Sequence, residues 1–222
     1  MQGIGFTRPA PVYGQFPLSL RLIHVPLHGA AKRAMDICMS FTLILLLAPL
    51  LFSIGIAIRL TSEGPIIFKQ KRYGRDARKF YCYKFRTMYV CDTDDSFVQC
   101  QPLDPRVTQV GAFLRRTSLD ELPQLFNVLF GSMSLIGPRP HPLRLDEEFA
   151  AKIPGYENRF RVKPGITGLA QILGYRGPTP TLENMKRRID ADRTYAASQS
   201  LWLDLQILIK TPLALIDAKN AF

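Results

Sequence analysis

The 222-residue sequence has no Cys-x-x-Cys pair, and its three histidines stand at no metal-ligand spacing from its four cysteines, so the signatures of a structural zinc site are missing. It has neither a Walker A loop nor a dinucleotide-binding glycine fingerprint. No repeat runs through it. The 17 prolines and 15 glycines are scattered, which excludes solenoid, coiled-coil and collagen-like arrays and implies short elements joined by many turns. Acidic residues are scarce beside basic ones, 18 against 29, and the resulting formal net charge of +11 points to an anionic partner: nucleic acid, an anionic lipid surface or a phosphorylated substrate. Cys38, Cys82, Cys91 and Cys100 read as reduced thiols of a cytosol-facing protein, although the equal spacing of the last three would also suit a disulfide set.

What is present is a chain 47% hydrophobic, enough for a sizeable core, and one long apolar run. Residues 1–31 carry Pro9, Pro11, Pro17 and Pro26 with Gly3, Gly5, Gly14 and Gly29 and no sustained apolar period, which predicts a flexible N-terminal arm. From Ile37 to Ile58 no charge interrupts the sequence, and as a helix this run would measure about 33 Å against a hydrocarbon layer of about 30 Å. A simple transmembrane span fits that length. Pro49 near its middle and basic residues on both flanks, Lys32 and Arg33 before, Arg59, Lys69, Lys71 and Arg72 after, tilt the reading toward a re-entrant membrane helix over 32–60 with both ends on the cytoplasmic side. The apolar run also argues against nucleic acid as the partner, so none is expected.

The remainder, 61–222, reads as a cytosol-facing catalytic domain of α+β class, mostly helical, with small irregular strands. Pro65–Phe68 and Lys79–Arg86 suggest strands, and Leu122–Phe130 is an apolar helix stopped by Gly131. Residues 181–210 read as helical with a break near Ser198–Ser200. Leu201, Trp202, Leu205, Leu208 and Ile209 form an apolar stripe suited either to a membrane surface or to the protein's own core.

Leu114-Arg115-Arg116-Thr117-Ser118-Leu119-Asp120-Glu121-Leu122-Pro123-Gln124-Leu125 sets two adjacent carboxylates beside two arginines. Ser118 with Glu121 three residues later has the spacing of a capping box, which is a purely structural reading. Pro123 fits that cap poorly and suits a helix beginning at Leu119 or Asp120. Either start leaves both carboxylates where free amides attract anions. A carboxylate that attacks a phosphate needs the phosphate's charge masked, and Gly137-Pro138-Arg139-Pro140 puts an arginine in a stiff turn. Lys163-Pro164-Gly165-Ile166-Thr167-Gly168-Leu169-Ala170-Gln171 allows close backbone approach to a ligand, although as chemistry the signal is weak and a structural turn is the plainer reading.

Taken in order, KRAMDI, KFRTM, LRRTSLDELPQL, GSMSLIGPRP and KPGITGLAQ resemble the bacterial sugar transferases, the monotopic polyprenyl-phosphate phosphoglycosyl transferases, over about Lys32 to Phe222. The length is similar to the short members that start exopolysaccharide assembly. The resemblance implies a membrane-embedded monotopic enzyme on the cytoplasmic face of the bacterial inner membrane. Such an enzyme moves a sugar 1-phosphate from a UDP-sugar, UDP-glucose or UDP-galactose, to undecaprenyl phosphate through an aspartyl intermediate, with release of UMP. By the same resemblance Asp120 is the nucleophile and Glu121 binds the catalytic Mg2+. Arg115 and Arg139, with Pro138 beside the latter, hold substrate phosphates, and Lys84, Arg86 and Asp192 are further substrate contacts. Membrane lipids are implied partners, and a homodimer is left open. One departure is Ala48-Pro49, where the family often has Ser-Pro at the break in its membrane helix. Two rival readings use the same residues: a phosphohydrolase that passes the phosphosugar to water, and a non-catalytic basic membrane adaptor in which Asp120 and Glu121 only cap a helix.

Overall fold

In the computed structural model, which describes residues 26–90, 104–177, 179 and 181–216, the chain opens on one long helix, α1 (Pro26–Thr61). An antiparallel hairpin follows, β1 (Ile67–Tyr73) and β2 (Lys79–Phe85), in the register Gln70 opposite Cys82. Then come α2 (Gln109–Thr117), a 3-10 turn over Leu119–Glu121, α3 (Gln124–Phe130), β3 (Ser134–Ile136), α4 (Leu143–Ala150) and a 3-10 segment over Tyr156–Arg161. The chain closes with β4 (Gly165–Thr167), α5 (Leu169–Ile172), α6 (Leu182–Ser198) and α7 (Leu201–Ile216). β3 and β4 pair in parallel, Ser134 with Gly165 and Ile136 with Thr167. The class is the expected one, mostly helical with a few small strands.

Boundaries differ from the sequence reading for physical reasons. α1 begins at Pro26, so 26–31, expected as the end of an arm, is helical; a proline at the first helical position lacks only a donor that would have no partner there. The rest of that arm, 1–25, lies outside the described residues, as do Cys91 and Cys100. Cys38 and Cys82 are free thiols. β1 starts at Ile67 and runs on through Lys69–Arg72, which is too charged to read as a strand. Cross-strand cation–π pairs take the place of apolar alternation: Lys69 Nζ lies 5.8 Å from the Tyr83 ring centroid and Lys71 Nζ 5.7 Å from that of Tyr81. Pro123 stands immediately before α3, and Gly131 (φ +88°) ends it in the left-handed conformation that favours glycine.

Three apolar clusters hold the elements together. One joins Cys82 of β2, Leu125 and Val128 of α3, Leu135 and Ile136 of β3, Tyr195 of α6 and Ile207 of α7. A second gathers Tyr73, Phe149, Tyr156, Phe160, Met185 and Ile189, and a third brings Ile54 and Ile58 of α1 onto Phe85 and Leu114.

α1 is inverted relative to a helix on a water-soluble surface. Lys32, Asp36 and Ser40, four residues apart and hence on one face, are buried against the domain, while Phe41, Leu45, Leu46 and Phe52 are exposed. The buried polar groups are satisfied: Lys32 Nζ donates to Asp204 Oδ2 (2.7 Å), and Asp36 Oδ1 accepts from Ser134 Oγ (3.1 Å) and the Leu135 amide (3.0 Å). Arg33 donates to the carbonyls of Val128 and Leu129 and so caps the C-terminal end of α3. Both ends of α1 therefore dock on the same domain, the first through polar bonds, the second through Ile54 and Ile58. The helix is continuous through Pro49, and Ser53 Oγ donates back to the Pro49 carbonyl (2.8 Å).

Candidate active site

The site is built on a left-handed residue. Ser118 (φ +60°) ends α2 and swings the chain into the 3-10 turn that carries Asp120 and Glu121. The capping box allowed by the sequence does not form: the Ser118 side chain makes no cap hydrogen bond, and its Oγ instead accepts from Arg176 Nη2 (2.5 Å). Glu121 turns away from the backbone toward two cations. Lys84 Nζ donates to its Oε1 (2.7 Å), and Arg139 makes a two-pronged contact, Nη1 to Oε2 at 2.8 Å and Nη2 to Oε1.

Asp120 differs in kind. Its carboxylate takes no hydrogen bond from the described residues, and the nearest cation is Lys84, 4.0 Å away. Burial pushes the Asp120 carboxyl up, with Lys84 pulling it down and the neighbouring Glu121 charge pushing it up again. Burial pushes Glu121 the same way, but Arg139 and then Lys84 overcome it and hold this carboxyl well below the usual range. Glu121 in turn raises Arg139 above its already high value. One carboxylate is therefore spoken for, and its neighbour is open and more basic than usual.

Each partner arrives from a separate element. Lys84 sits on β2, which is tied to α3 by Asn127: its Oδ1 accepts from the Tyr83 amide (2.9 Å) and its Nδ2 donates to the Tyr81 carbonyl (2.7 Å). The turn of Pro138, Arg139 and Pro140 leaves β3, and its backbone meets the glycine-rich stretch before β4 at van der Waals limits. A Cβ on Gly137 would lie 2.3 Å from the Lys163 carbonyl oxygen, and the Gly165 amide donates to the Pro138 carbonyl (2.9 Å). The close approach these glycines permit is made here to the backbone of the Arg139 turn. Arg115 Nε donates to Thr87 Oγ1 (2.9 Å), and its charge lowers the Asp120 pKa.

Two of the anticipated contacts lie away from this pair. Arg86 donates to the Ser62 carbonyl (2.7 Å) and hydroxyl (2.9 Å), at the end of α1. Asp192 is buried and accepts from Arg159 Nε (3.1 Å) and Nη2 (2.8 Å), and that same Nη2 donates to the Arg139 carbonyl (2.5 Å). Asp192 thus bears on the site by way of Arg159, which also donates to Asp146 Oδ1 (2.9 Å).

Arg176 was not anticipated. Besides its bond to Ser118, its pKa is lowered by burial and by Arg139 and raised by Glu121 and Asp120, so it belongs to the same cluster. Its signal in the sequence is the one that exposed Arg139, an arginine among glycine and proline, here Gly174-Tyr175-Arg176-Gly177-Pro178.

A divalent cation can be tested against these donors. Among the described residues no group of three or more His, Cys, Asp or Glu could hold a metal ion. Magnesium commonly needs only one or two carboxylates when phosphate oxygens and water complete its octahedron. Asp120, which takes no hydrogen bond from the described residues, is open to such an ion, whereas both Glu121 oxygens already accept from Lys84 or Arg139, so Glu121 would join it through a remaining lone pair.

Comparison with known proteins gives the site its context. The family described as "Bacterial sugar transferase" matches residues 27–218. The chain is 49% identical, over 90% of its length, to a UDP-glucose:undecaprenyl-phosphate glucose-1-phosphate transferase of Klebsiella pneumoniae, but covers 44% of that protein. It is 46% identical to a Caulobacter vibrioides protein of the same name, with 86% of this chain and 72% of the relative aligned. An exopolysaccharide production protein of Rhizobium leguminosarum bv. phaseoli is 40% identical and is covered over 98% of its length. The chain thus spans less than half of some relatives and nearly all of another, and the matched region contains α1 and every site residue named above. On that match, from α1 to α7, the chain belongs to the bacterial sugar transferase family.

Proposed function

We propose that this protein transfers a hexose 1-phosphate from a UDP-sugar to undecaprenyl phosphate, with Asp120 as a covalent nucleophile. The observation that carries the reading is the division of labour between adjacent carboxylates: Glu121 is neutralised by Lys84 and Arg139, whereas Asp120 accepts no hydrogen bond from the described residues. An Asp120 oxygen attacks the sugar-bearing phosphorus, the bond to the bridging oxygen breaks, and UMP leaves with that oxygen. An oxygen of undecaprenyl phosphate then attacks the same phosphorus, the acyl phosphate bond breaks, and the carboxylate is restored. Arg139, Arg115 and Arg176 neutralise the diphosphate, and Lys84 and Glu121 hold the Arg139 fork in place. Glu121, beside Asp120, would hold a magnesium ion, which would supply further masking of phosphate charge.

The relatives' names favour UDP-glucose as donor. The inverted α1 supports a membrane setting, since polar residues facing the protein and apolar residues facing out is the pattern a lipid environment selects. Docking of both helix ends on one domain supports a re-entrant course at the cytoplasmic face, where nucleotide sugars are found. The test is UMP release by purified protein from a panel of UDP-sugars, with and without undecaprenyl phosphate. At most about one UMP per site should appear without acceptor, and steady turnover only with it. A first UMP that strictly requires the acceptor, with no labelled protein on rapid quench, would replace the covalent route by direct transfer. Turnover to free sugar phosphate without acceptor would mean a phosphohydrolase.

A further inference from the structure

A second basic site lies at the C-terminal end of α1. Arg86 is 6% exposed, yet only its Nη2 is used, on Ser62; its Nε and Nη1 are buried without a partner. Buried guanidinium donors left unpaired are costly, and they call for an acceptor that the chain does not provide. Gly64 (φ +108°) gives Nη1 its room, since a Cβ there would stand 2.5 Å from it. Burial depresses the Arg86 pKa, and among the described residues the neighbouring charge that adds to this is a second cation, Arg59, in the last turn of α1. Two arginines thus share one corner, and no described carboxylate forms an ion pair with either.

Arg59 is also on the rim of an otherwise apolar cleft of about 370 Å3, large enough for a ligand. Leu51, Phe52, Gly55, Ile56 and Leu60 of α1 form one wall, and Phe85, the residue before Arg86, contributes to the other. An apolar trough with a cationic head matches an amphiphile with an anionic headgroup and a hydrocarbon tail. The position of that head favours one amphiphile. Arg86 is two residues along the chain from Lys84 and is followed by Thr87, whose hydroxyl accepts from Arg115 Nε; the charges of Lys84 and Arg115 both act on Asp120, so this corner adjoins the stretch of chain that carries the cations of the site.

We propose that the cleft between α1 and Phe85 seats the first isoprene units of the polyprenyl phosphate acceptor, with Arg59 and the unpaired donors of Arg86 receiving its phosphate. This rests on the proposed transfer to undecaprenyl phosphate and adds where that acceptor lies. The occupant is a phosphorylated isoprenoid rather than a bulk phospholipid.

Two measurements test it, one of them independent of chemistry. Protein in phosphatidylglycerol nanodiscs is photolabelled with a polyprenyl phosphate carrying a diazirine in its first isoprene unit, in wild type and in Asp120→Asn. Label is expected on residues 51–60, displaced by undecaprenyl phosphate and not by added phosphatidylglycerol or by undecaprenol. Label elsewhere, or displacement by phosphatidylglycerol as readily, overturns the assignment. Because Asp120→Asn needs no turnover, this outcome is separable from failure of the transfer reaction itself.

In steady state, Arg59→Gln and the cleft-filling Gly55→Leu should each raise KM for the acceptor about tenfold or more and move KM for UDP-glucose by less than about twofold. Both positions tolerate the change: Arg59 is exposed, and a Cβ on Gly55 would meet only Ile66, at 3.6 and 3.8 Å. Parallel shifts in both Michaelis constants, or none in either, would show that the cleft does not bind the acceptor.

Discussion

Asp120 and Glu121 are consecutive, both largely buried, and yet in opposite electrostatic states, because Lys84 and Arg139 hydrogen-bond to Glu121 and not to Asp120. A carboxylate saturated by Arg139 and Lys84 is a poor nucleophile, whereas one made more basic by burial and left without hydrogen bonds is a better one. Asp120→Asn should therefore cut turnover at least about a thousandfold while leaving Tm near the wild-type value, since the amide is nearly the same shape. Near-normal turnover would remove Asp120 as nucleophile. Arg139→Lys keeps the charge but cannot fork onto Glu121 or a phosphate, so a loss of about tenfold to a hundredfold is expected in kcat/KM for the UDP-sugar. Unchanged kinetics there would reduce Arg139 to diffuse charge.

At the scale of elements, two buried ionic clusters set the frame. Arg159, from the 3-10 segment, grips Asp192 of α6 and Asp146 of α4 and donates to the Arg139 carbonyl, so three elements fix one peptide of the active-site turn. Asp192→Asn should lower kcat/KM for the UDP-sugar, and the loss should largely vanish in an Arg139→Lys background, because both changes act through the same guanidinium. Fully additive losses would make Asp192 an independent contributor. The other cluster moors α1. Lys32 meets Asp204 of α7, whose second oxygen lies 2.6 Å from the Tyr195 hydroxyl of α6. Lys32→Met strands a buried carboxylate and should cost about 3–5 kcal/mol, read as a clear fall in Tm in detergent. Lys32→Met combined with Asp204→Leu should recover much of it, and equal Tm values for wild type and Lys32→Met would mean the pair does not stabilise the fold.

Large apolar side chains are exposed on several helices of the molecule. Besides the outward face of α1, Phe130 at the end of α3 and Trp202, Leu205, Ile209 and Leu213 of α7 are exposed, whereas Ile207 of the same helix is in the core. Of the two uses the sequence left open for α7, packing on the protein's own core is seen at Leu208, while Trp202, Leu205 and Ile209 stay exposed. A helix whose ends dock on a single domain has no ready way to place them on opposite sides of a bilayer. Cysteines introduced by Gly29→Cys and Arg75→Cys, in a background lacking the native four, should both resist an impermeant thiol reagent in spheroplasts and both react after lysis. Labelling of residue 29 alone before lysis would establish a span. Pro49→Leu should move some molecules toward that labelling pattern, since it restores the backbone donor that proline lacks and stiffens the apolar helix.

Local chemistry was legible in the sequence wherever it depended on neighbours in the chain. The apolar run without charge, the stop at Gly131, the gap between α6 and α7 and the stiff turn around Arg139 all follow from backbone preference and hydrophobic pattern, which act over a few residues. The adjacent carboxylates could be read as a pair for the same reason. Which of the two is engaged could not be read, because Lys84 and Arg139 come from 37 and 18 residues away. The capping-box spacing of Ser118 and Glu121 pointed the wrong way, since both side chains bond to distant arginines instead. Arg86, from the same motif as Lys84, points to Ser62, Asp192 points to Arg159, and Arg176, outside the motifs, comes into the site. Side-chain direction and charge pairing are long-range properties: they are fixed only when α1, β2, α2, β3 and α6 have packed, and packing decides which buried charge finds which partner.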